Sequence, residues 1–396
     1  MEMWRKNLWI LFIVVILCGS SYTMLVPFLP IFLLDLGVTA EQVKMWSGVI
    51  FAASFLVAAV LAPYWGRRAD RSGKKKMIMR AGFSLAVVYF LGAFVRDPWE
   101  LLAVRILQGL ASGFVPAAMA LVASATPPEK LGFSMGIMQT GLVVGGIIGP
   151  LAGGVLSHWF GMRLSFVVAA VIIFIATLAV IRLVKEPAGA QAPREGSLWV
   201  DLRQAFGNRI LVRMLLLLFG VQMVIMTLQP LTSLYVAELQ GNLTGVSLIV
   251  GVIFGLSGSA SAIAAPLWGR AGQSRGSYRI LVSAFAGAGF FNLGQALVGD
   301  IFQFGALQFL VGLFLIGVFP SINVIALGAT EANFQGRVFG LTNAANQFGS
   351  MVGPLVGGFV SSLVGIRSVY FLTGATLLLL GGYVYYGLLR KAEPKQ

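Results

Sequence analysis

A short basic segment between two long apolar runs limits what this chain can fold into. The segment is Ala62–Lys76, and the flanking runs are Met45–Leu61 and Met77–Val95. It holds six Lys or Arg side chains and a single acid, Asp70. Short loops rich in Lys and Arg stay on the cytoplasmic side of a membrane. The pattern therefore predicts two membrane helices joined by a cytoplasmic loop.

The composition indicates the same class for the whole chain. A soluble domain has about a quarter of its residues charged, but here 11% of 396 residues are charged and 58% are hydrophobic. The net charge of +14 does not indicate nucleic-acid binding, because the basic residues lie in short loops between apolar runs rather than along one soluble face. The lone cysteine, Cys18, allows no intramolecular disulfide and no cysteine-based metal site.

The apolar runs predict twelve spans, because about twenty mostly apolar residues cross a bilayer core. The first run continues past Pro27, which makes it too long for the core of a signal peptide. The predicted spans, numbered one to twelve, are residues 8–31, 44–62, 77–95, 99–124, 132–157, 163–184, 210–236, 244–266, 279–299, 302–328, 336–362 and 367–389.

The Lys and Arg residues divide unevenly between the two sets of loops. One set contains Arg5, Lys6, the cluster at 67–76, Lys130, the residues between Arg182 and Arg213, Arg270, Arg275, Arg279, Arg337, Arg390, Lys391 and Lys395. The alternate set contains Lys44, Arg96, Arg163 and Arg367. This asymmetry predicts that both termini and the middle loop are cytoplasmic.

The longest polar stretch, residues 185–208, separates two similar halves. We expect six-helix bundles at 1–184 and 209–396, with a linker that includes a short amphipathic helix near Leu198–Phe206 at the membrane surface. APYWGR at 62–67 returns as APLWGR at 265–270, and GPLAGG at 149–154 returns as GPLVGG at 353–358. The same shifts of 203 and 204 residues align Pro27 with Pro230, Asp35 with Glu238, Gly109 with Gly312 and Arg163 with Arg367.

Repeats of six spans face the same way across the membrane. Parallel repeats of this kind predict two bundles that rock about a central cavity, as in transporters. A channel needs no such arrangement. No nucleophile–base constellation, selectivity-filter repeat or phosphate-binding motif is visible, so the sequence favours neither an enzyme nor a channel, and neither ATP nor another cofactor.

Several motifs resemble those of the major facilitator superfamily. Residues 66–75, GRRADRSGKK, resemble its signature between spans two and three, and Leu101, Arg105, Gln108 and Gly109 resemble the span-four motif of its proton-coupled exporters. Gly145, Gly149, Pro150, Gly153 and Gly154 resemble the span-five antiporter motif. Pro27 and Pro30 fit the span-one pattern of the twelve-span branch. The resemblance implies a monomeric drug:proton antiporter of the bacterial inner membrane, with small molecules, protons and the lipid bilayer as partners.

In the loop signature, Gly66 and Gly73 are expected to permit a tight turn. The resemblance implies that Asp70 binds the cytoplasmic start of span eleven, where a positive helix end stabilises a carboxylate. This contact would close the cytoplasmic side, with Arg71 and Lys74 in the same motif. The second copy has Gln273 at the place of Asp70. Lys75 and Lys76 are expected to set orientation alone.

Arg105 lies about six residues into span four, roughly 9 Å deep at the helical rise. It either snorkels to the outer interface or acts on the protonation of a neighbouring group. The glycine face of span five either packs ordinarily or contacts the other bundle and controls the outer opening.

The sequence offers no carboxylate in the middle of a predicted span, although it has 14 Asp and Glu residues. The candidates for proton coupling are therefore Arg105, Asp35 and Glu238, with Asp70 as a further acid, and Asp35 and Glu238 could equally be caps at the outer interface. His158, the one histidine, belongs to a residue type that can exchange protons near neutral pH, but it is expected at the surface.

We expect spans one, four, seven and ten to line the cavity, with spans five, eight and eleven beside them. The candidate lining residues are Tyr22, Met119, Met138, Gln139, Gln222, Met226, Gln229, Asn323, Asn343 and Asn346. Soft methionine and aromatic side chains suit varied apolar ligands. An exporter of one metabolite or lipid on the same fold, without proton coupling, remains the alternative.

Overall fold

The computed structural model describes residues 2–186, 198–330 and 334–389, and these residues form helices without a strand. The helices of the first half are α1 (Met3–Thr23), α2 (Leu29–Asp35), α3 (Val43–Ser72), α4 (Lys74–Gly92), α5 (Pro98–Leu110), α6 (Phe114–Ala125) and α7 (Leu131–Leu183). Those of the second half are α8 (Leu198–Gly207), α9 (Arg209–Leu228), α10 (Leu231–Gln240), α11 (Val246–Arg275), α12 (Ser277–Gln295), α13 (Ile301–Leu315), α14 (Val318–Gly328), α15 (Gln335–Val364) and α16 (Ile366–Val384).

Among the described residues, 9 helical stretches are long and apolar enough to cross a membrane. The 53-residue helix α7 contains two of the predicted spans, five and six. They are separated at Gly161, where the backbone leaves the helical region with a φ of 80° and a ψ of 165°. Helices α4 and α12, with 19 residues each, correspond to spans three and nine. The helices thus account for all twelve predicted spans.

The described residues fall into two compact units. The first consists of residues 2–46, 53–186 and 244–252, and the second of residues 47–52, 198–243, 253–330 and 334–389. Buried side chains of α9, α12 and α14, such as Leu217, Phe285 and Ile322, build the core of the second unit. The predicted short helix in the linker is present as α8. The rest of the predicted linker between 187 and 197 lies outside the described residues.

Four spans are interrupted, and they are the four predicted to line the cavity. In the first unit, α1 gives way to α2 around Pro27, and α5 gives way to α6 at Gly113, where φ is 107°. In the second unit, α9 ends before Pro230, and α13 ends before Gly317. Proline removes a backbone donor, which favours the breaks at Pro27 and Pro230, and Gly113 adopts the left-handed region, whereas Gly317 keeps helical dihedrals. Interrupted spans commonly mark the binding region of a transporter.

The loop signature is helical for most of its length, so the predicted turn at Gly66 is wrong. Helix α3 continues to Ser72, and the turn is made by Gly73, where φ is 96°. In the second unit α11 continues to Arg275, and Gly276 makes the turn with a φ of 86°. A single glycine in the left-handed region suffices for each turn.

Candidate functional site

The turn at Gly73 is fastened to the end of α7 by Glu186. The backbone N–H of Lys74 donates to Oε1 of Glu186 at 2.7 Å, and that of Lys75 donates to Oε2 at 3.2 Å. Gly73 has no side chain to cap α4, so Glu186 supplies the acceptors that the first turn of the helix needs. Its negative charge also suits a helix N-terminus.

Lys75 and Asn7 add further contacts to this junction between α4 and α7, which we call the clamp. The ammonium of Lys75 donates to the carbonyl oxygens of Ile181 at 2.9 Å and Val184 at 2.7 Å, where α7 ends. Asn7 exchanges two hydrogen bonds with the backbone of Lys185, at 2.6 and 3.1 Å. Lys75 therefore does more than set orientation. The sequence signal that could have indicated the clamp was Glu186, an acid just after the end of span six.

Replacing Glu186 with alanine is expected to loosen the start of α4. Losing a helix N-cap costs about 1 kcal/mol, which lowers the apparent melting temperature by about 2–4 °C. Thermal unfolding of the purified protein in detergent measures this shift. Glu129→Ala, which removes an exposed acid between α6 and α7, should leave the melting temperature unchanged. Equal shifts for the two variants would contradict the capping role.

The remaining residues of the loop signature lie on α3 and α4. Arg71 is exposed in the last turn of α3, and Lys74 is half-buried at the start of α4. Asp70 belongs to α3, but its side chain lies outside what the structure describes. The latch role of Asp70 remains a prediction.

Arg105 is buried inside the first unit, with 2% of its surface exposed. Its Nη1 donates to Oε1 of Gln108, and Nε2 of Gln108 donates to the hydroxyl of Tyr89 at 3.0 Å. Tyr22 lies close enough to interact electrostatically with the guanidinium. Burial excludes snorkelling, and a charge held this deep by polar side chains is typical of a functional position.

The second unit has polar side chains at two of these positions, with different partners. A shift of 203 residues places Gln308 at the position of Arg105 and Asn292 at that of Tyr89. Nε2 of Gln295 donates to Oε1 of Gln308 at 2.5 Å, and Nδ2 of Asn292 donates to Oγ1 of Thr373 at 2.9 Å. Both positions are therefore polar in the two units, but the charge of Arg105 and its contact with Gln108 belong to the first unit.

The other coupling candidates are exposed. Asp35 ends α2 and interacts electrostatically with Arg163. In the second unit, Oε1 of Glu238 lies 3.8 Å from Nε of Arg367, which corresponds to Arg163 in the repeat. Both pairs occupy repeat-equivalent positions, and exposed pairs contribute little stability. No acid with a described side chain is buried. His158 is exposed against Trp159, as predicted for a surface position.

The glycine face of span five contacts α1 of its own unit. A Cβ added at Gly145 would lie 2.8 Å from the carbonyl oxygen of Ile16, and one added at Gly149 would lie 2.6 Å from that of Ser20. A Cβ at Gly153 would collide with the Met24 carbonyl. These three glycines therefore pack within the first half, whereas a Cβ added at Gly154 would lie 2.7 Å from the carbonyl oxygen of Ser247 on α11, in the segment 244–252 of the first unit. Pro150 and Gly154 are buried on the same helix.

The second unit has the same close approach between α15 and α9. Cβ atoms added at Gly349 and Gly357 would each lie 2.6 Å from a backbone oxygen, those of Phe219 and Thr227. The hydroxyl of Thr227 also donates to the carbonyl of Gly353 at 2.9 Å. Small residues let membrane helices approach to backbone contact. The sequence repeat is thus a repeat of tertiary packing.

The candidate lining residues have different surroundings within their own units. Seven are half-buried, namely Tyr22, Met119, Gln222, Met226, Gln229, Asn323 and Asn346. Gln139 and Asn343 are exposed, whereas Met138 is fully buried. Gln222 donates to Oγ of Ser350 at 3.0 Å and so joins α9 to α15. Oδ1 of Asn346 is buried without a hydrogen-bond partner among the described residues.

The sequence model of the Major Facilitator Superfamily matches residues 11–258 and 236–396. The chain belongs to this superfamily. Multidrug resistance protein MdtG of Proteus mirabilis (strain HI4320) is 33% identical over 379 residues, which are 94% of this chain and 94% of that protein. MdtG of Rahnella sp. (strain Y9602) is 34% identical over 98% of this chain and 95% of its own length.

Two solved structures share the superfamily fold. The human organic anion transporter MFSD10 (TETRAN) aligns with a TM-score of 0.75 over 97% of this chain and 100% of that chain, at 18% identity. The nucleoside transporter NupG aligns with a TM-score of 0.78 over 98% and 100%, at 14% identity. The chain is therefore a multi-pass membrane transporter of the Major Facilitator Superfamily and not an enzyme.

Proposed function

We propose that this transporter exports amphipathic drugs and other small molecules in exchange for protons, by rocking two bundles in alternating access. The observation that carries the proposal is identity of about a third, over nearly the whole chain, to relatives named multidrug resistance protein. The interruptions in spans one, four, seven and ten support a cavity along these spans. The proposed location is a bacterial inner membrane, with both termini in the cytoplasm and the chain as a monomer.

The charges suggest which substrates are accepted. Exporters that select cations would need a carboxylate in the cavity, and no acid with a described side chain is buried. Methionine and aromatic residues such as Met226 and Tyr22 can adapt to ligands of different shape. We therefore expect a broad substrate range without strong preference for cations.

Proton coupling is proposed to act through the Arg105 network. A buried guanidinium favours the charged form of any carboxyl or phenol that approaches it. The exposed acids Asp35 and Glu238 are secondary candidates, because each already faces an arginine at the outer end of its unit.

Proteoliposomes loaded with dyes distinguish this function from the alternative, an exporter of one metabolite or lipid without proton coupling. The experiment imposes a pH gradient in either direction and follows several unrelated dyes. Transport of several dyes that reverses with the gradient supports drug:proton antiport. Transport of a single compound that ignores the gradient would favour the alternative.

Asp70→Asn tests the proposed latch at the cytoplasmic ends of the spans. A carboxylate at a helix N-terminus is worth about 0.3–2 kcal/mol, so losing it should slow turnover by about 2- to 30-fold while dye affinity stays the same. Export rate per molecule and dye binding by fluorescence measure the two effects. Gln273→Ala, at the repeat position, should change neither. Normal turnover of the Asp70 variant would remove the latch from the mechanism.

A further inference from the structure

The break in span four exposes backbone carbonyl groups that a continuous helix would have satisfied. Helix α5 ends at Leu110, and α6 begins at Phe114 after Gly113 in the left-handed region. The last carbonyls of a helix have no donor within it. Inside a bilayer each unsatisfied group costs several kcal/mol. A break at this place therefore requires donors from a neighbouring helix.

In the first unit Arg80 of α4 supplies both donors. Its Nη1 donates to the carbonyl of Leu110 at 3.1 Å, and its Nη2 donates to that of Ser112 at 2.7 Å. The guanidinium carbon lies 3.6 Å from the centre of the Trp65 ring on α3, a cation–π contact. Arg80 thus caps the broken helix while it covers the tryptophan.

In the second unit a tryptophan caps the corresponding break. Leu313, at the position of Leu110 in the repeat, accepts a hydrogen bond from Nε1 of Trp268 at 2.6 Å. Trp268 corresponds to Trp65, through the repeated APxWGR segment. The position of Arg80 is taken by Ser283, whose hydroxyl donates to the carbonyl of Arg279 on its own helix. The indole therefore caps the carbonyl that corresponds to the one Arg80 caps at Leu110.

The indole of Trp65 is left with an unused donor. Its Nε1 is buried and has no hydrogen-bond partner among the described residues. Leaving a buried donor unpaired costs about 1–3 kcal/mol, so a phenylalanine would suit the observed arrangement better. The repeat shows which acceptor a tryptophan at this position can reach, namely the carbonyl at the end of the broken helix.

We propose that Arg80 and Trp65 are alternative donors to one acceptor, the carbonyl of Leu110. The carbonyl of Leu110 exchanges one donor, the guanidinium of Arg80, for another, the indole of Trp65. This exchange lets span four move during transport while the end of α5 stays capped. Arg80 is in this sense a positioning residue for α5, which also carries Arg105. The moving part of the inference rests on the proposed transport function, whereas the shared cap can be tested without transport.

A double-mutant cycle tests the shared cap. Arg80→Ser introduces the residue of the second unit, and Trp65→Phe removes the indole donor. We expect Trp65→Phe to lower the apparent melting temperature by no more than about 2 °C. Arg80→Ser should lower it further, because the Ser112 carbonyl also loses its donor. The double variant should lower it by at least about 5 °C and by more than the sum of the two single shifts, because contacts that replace each other are not additive. Trp268→Phe, in the unit without a reserve donor, should cost about as much as the double variant. Additive shifts would overturn the proposal.

Two further readouts separate capping from general packing. In Arg80→Ser, the indole N–H signal of Trp65 in ¹⁵N NMR should move to a hydrogen-bonded position, and an unmoved signal would count against the exchange. If Arg80→Ser does not fold, Arg80→Lys takes its place, since it keeps the charge but not the two-pronged donor. Trp65→Phe should retain its dye affinity, and its turnover should fall by at least about fivefold. Unchanged turnover would contradict the proposed movement of span four. Failure of the proposed function itself would instead appear as gradient-blind transport by the unmodified protein.

Discussion

Arg105→Gln is expected to abolish gradient-driven transport and to leave the fold intact. Glutamine is the residue at the equivalent position of the second unit, where Gln308 is held by a neighbouring amide. It can keep a hydrogen bond to Gln108 but removes the only buried charge among the described residues. If that charge sets protonation during the cycle, transport should fall by about 100-fold or more, equivalent to about 2.7 kcal/mol.

The measurement combines dye export from proteoliposomes with thermal unfolding of the same preparation. A residue that only packs would lose stability and activity together, whereas we expect a melting temperature within about 2 °C of the unmodified protein. Arg96→Gln, which neutralises an exposed arginine, is the matched control and should change neither quantity. Normal gradient-driven transport by Arg105→Gln would exclude Arg105 from coupling.

Gly149→Ala is expected to have the largest effect on stability. The added Cβ would lie 2.6 Å from the backbone oxygen of Ser20, so a whole helix must shift to admit it. Overpacking of this kind typically costs about 1–3 kcal/mol, and here the added Cβ meets the Thr23 hydroxyl and also backbone atoms of Ser20 and Met24, which cannot turn away. We expect the folded yield to fall severalfold and the apparent melting temperature to fall by about 5–10 °C.

The same helix provides the control for this substitution. Gly146→Ala places a Cβ where no atom lies within 4 Å, so its yield and melting temperature should match those of the unmodified protein. Gly145→Ala, 2.8 Å from the carbonyl of Ile16, should resemble Gly149→Ala. Size-exclusion profiles and thermal unfolding of the three variants provide the comparison. Equal behaviour at positions 145 and 146 would refute the close packing of α7 on α1.

The sequence was sufficient to predict the number of spans, the duplication and the short helix of the linker. The hydropathy of a span and the charge of a loop are each summed over many neighbouring residues. Predictions based on them therefore do not depend on any single residue. The repeat matches at Gly109 and Gly312 also proved to be matches in packing, since a Cβ at either position would meet the backbone oxygen of a serine, Ser54 or Ser257. The position of Arg105 inside a predicted span made it a functional candidate, and the family resemblance supported that interpretation.

The sequence could not supply the partners of individual side chains. It predicted that Gly66 and Gly73 both permit the turn, but α3 runs on to Ser72 and Gly73 makes the turn. It assigned Lys75 to orientation, whereas the lysine caps the end of α7. It left Glu186 and Arg80 unremarked, because their acceptors or donors lie 111 and 30 residues away along the chain.

By itself, the sequence determined that this chain is a duplicated helical membrane protein, because burial in lipid is a property of whole segments. Only the tertiary structure decided how each polar group inside those segments is satisfied. In lipid a free carbonyl or N–H cannot turn to water, so its partner must come from a neighbouring helix. The two units solved that problem differently at the same place, with Arg80 in one and Trp268 in the other.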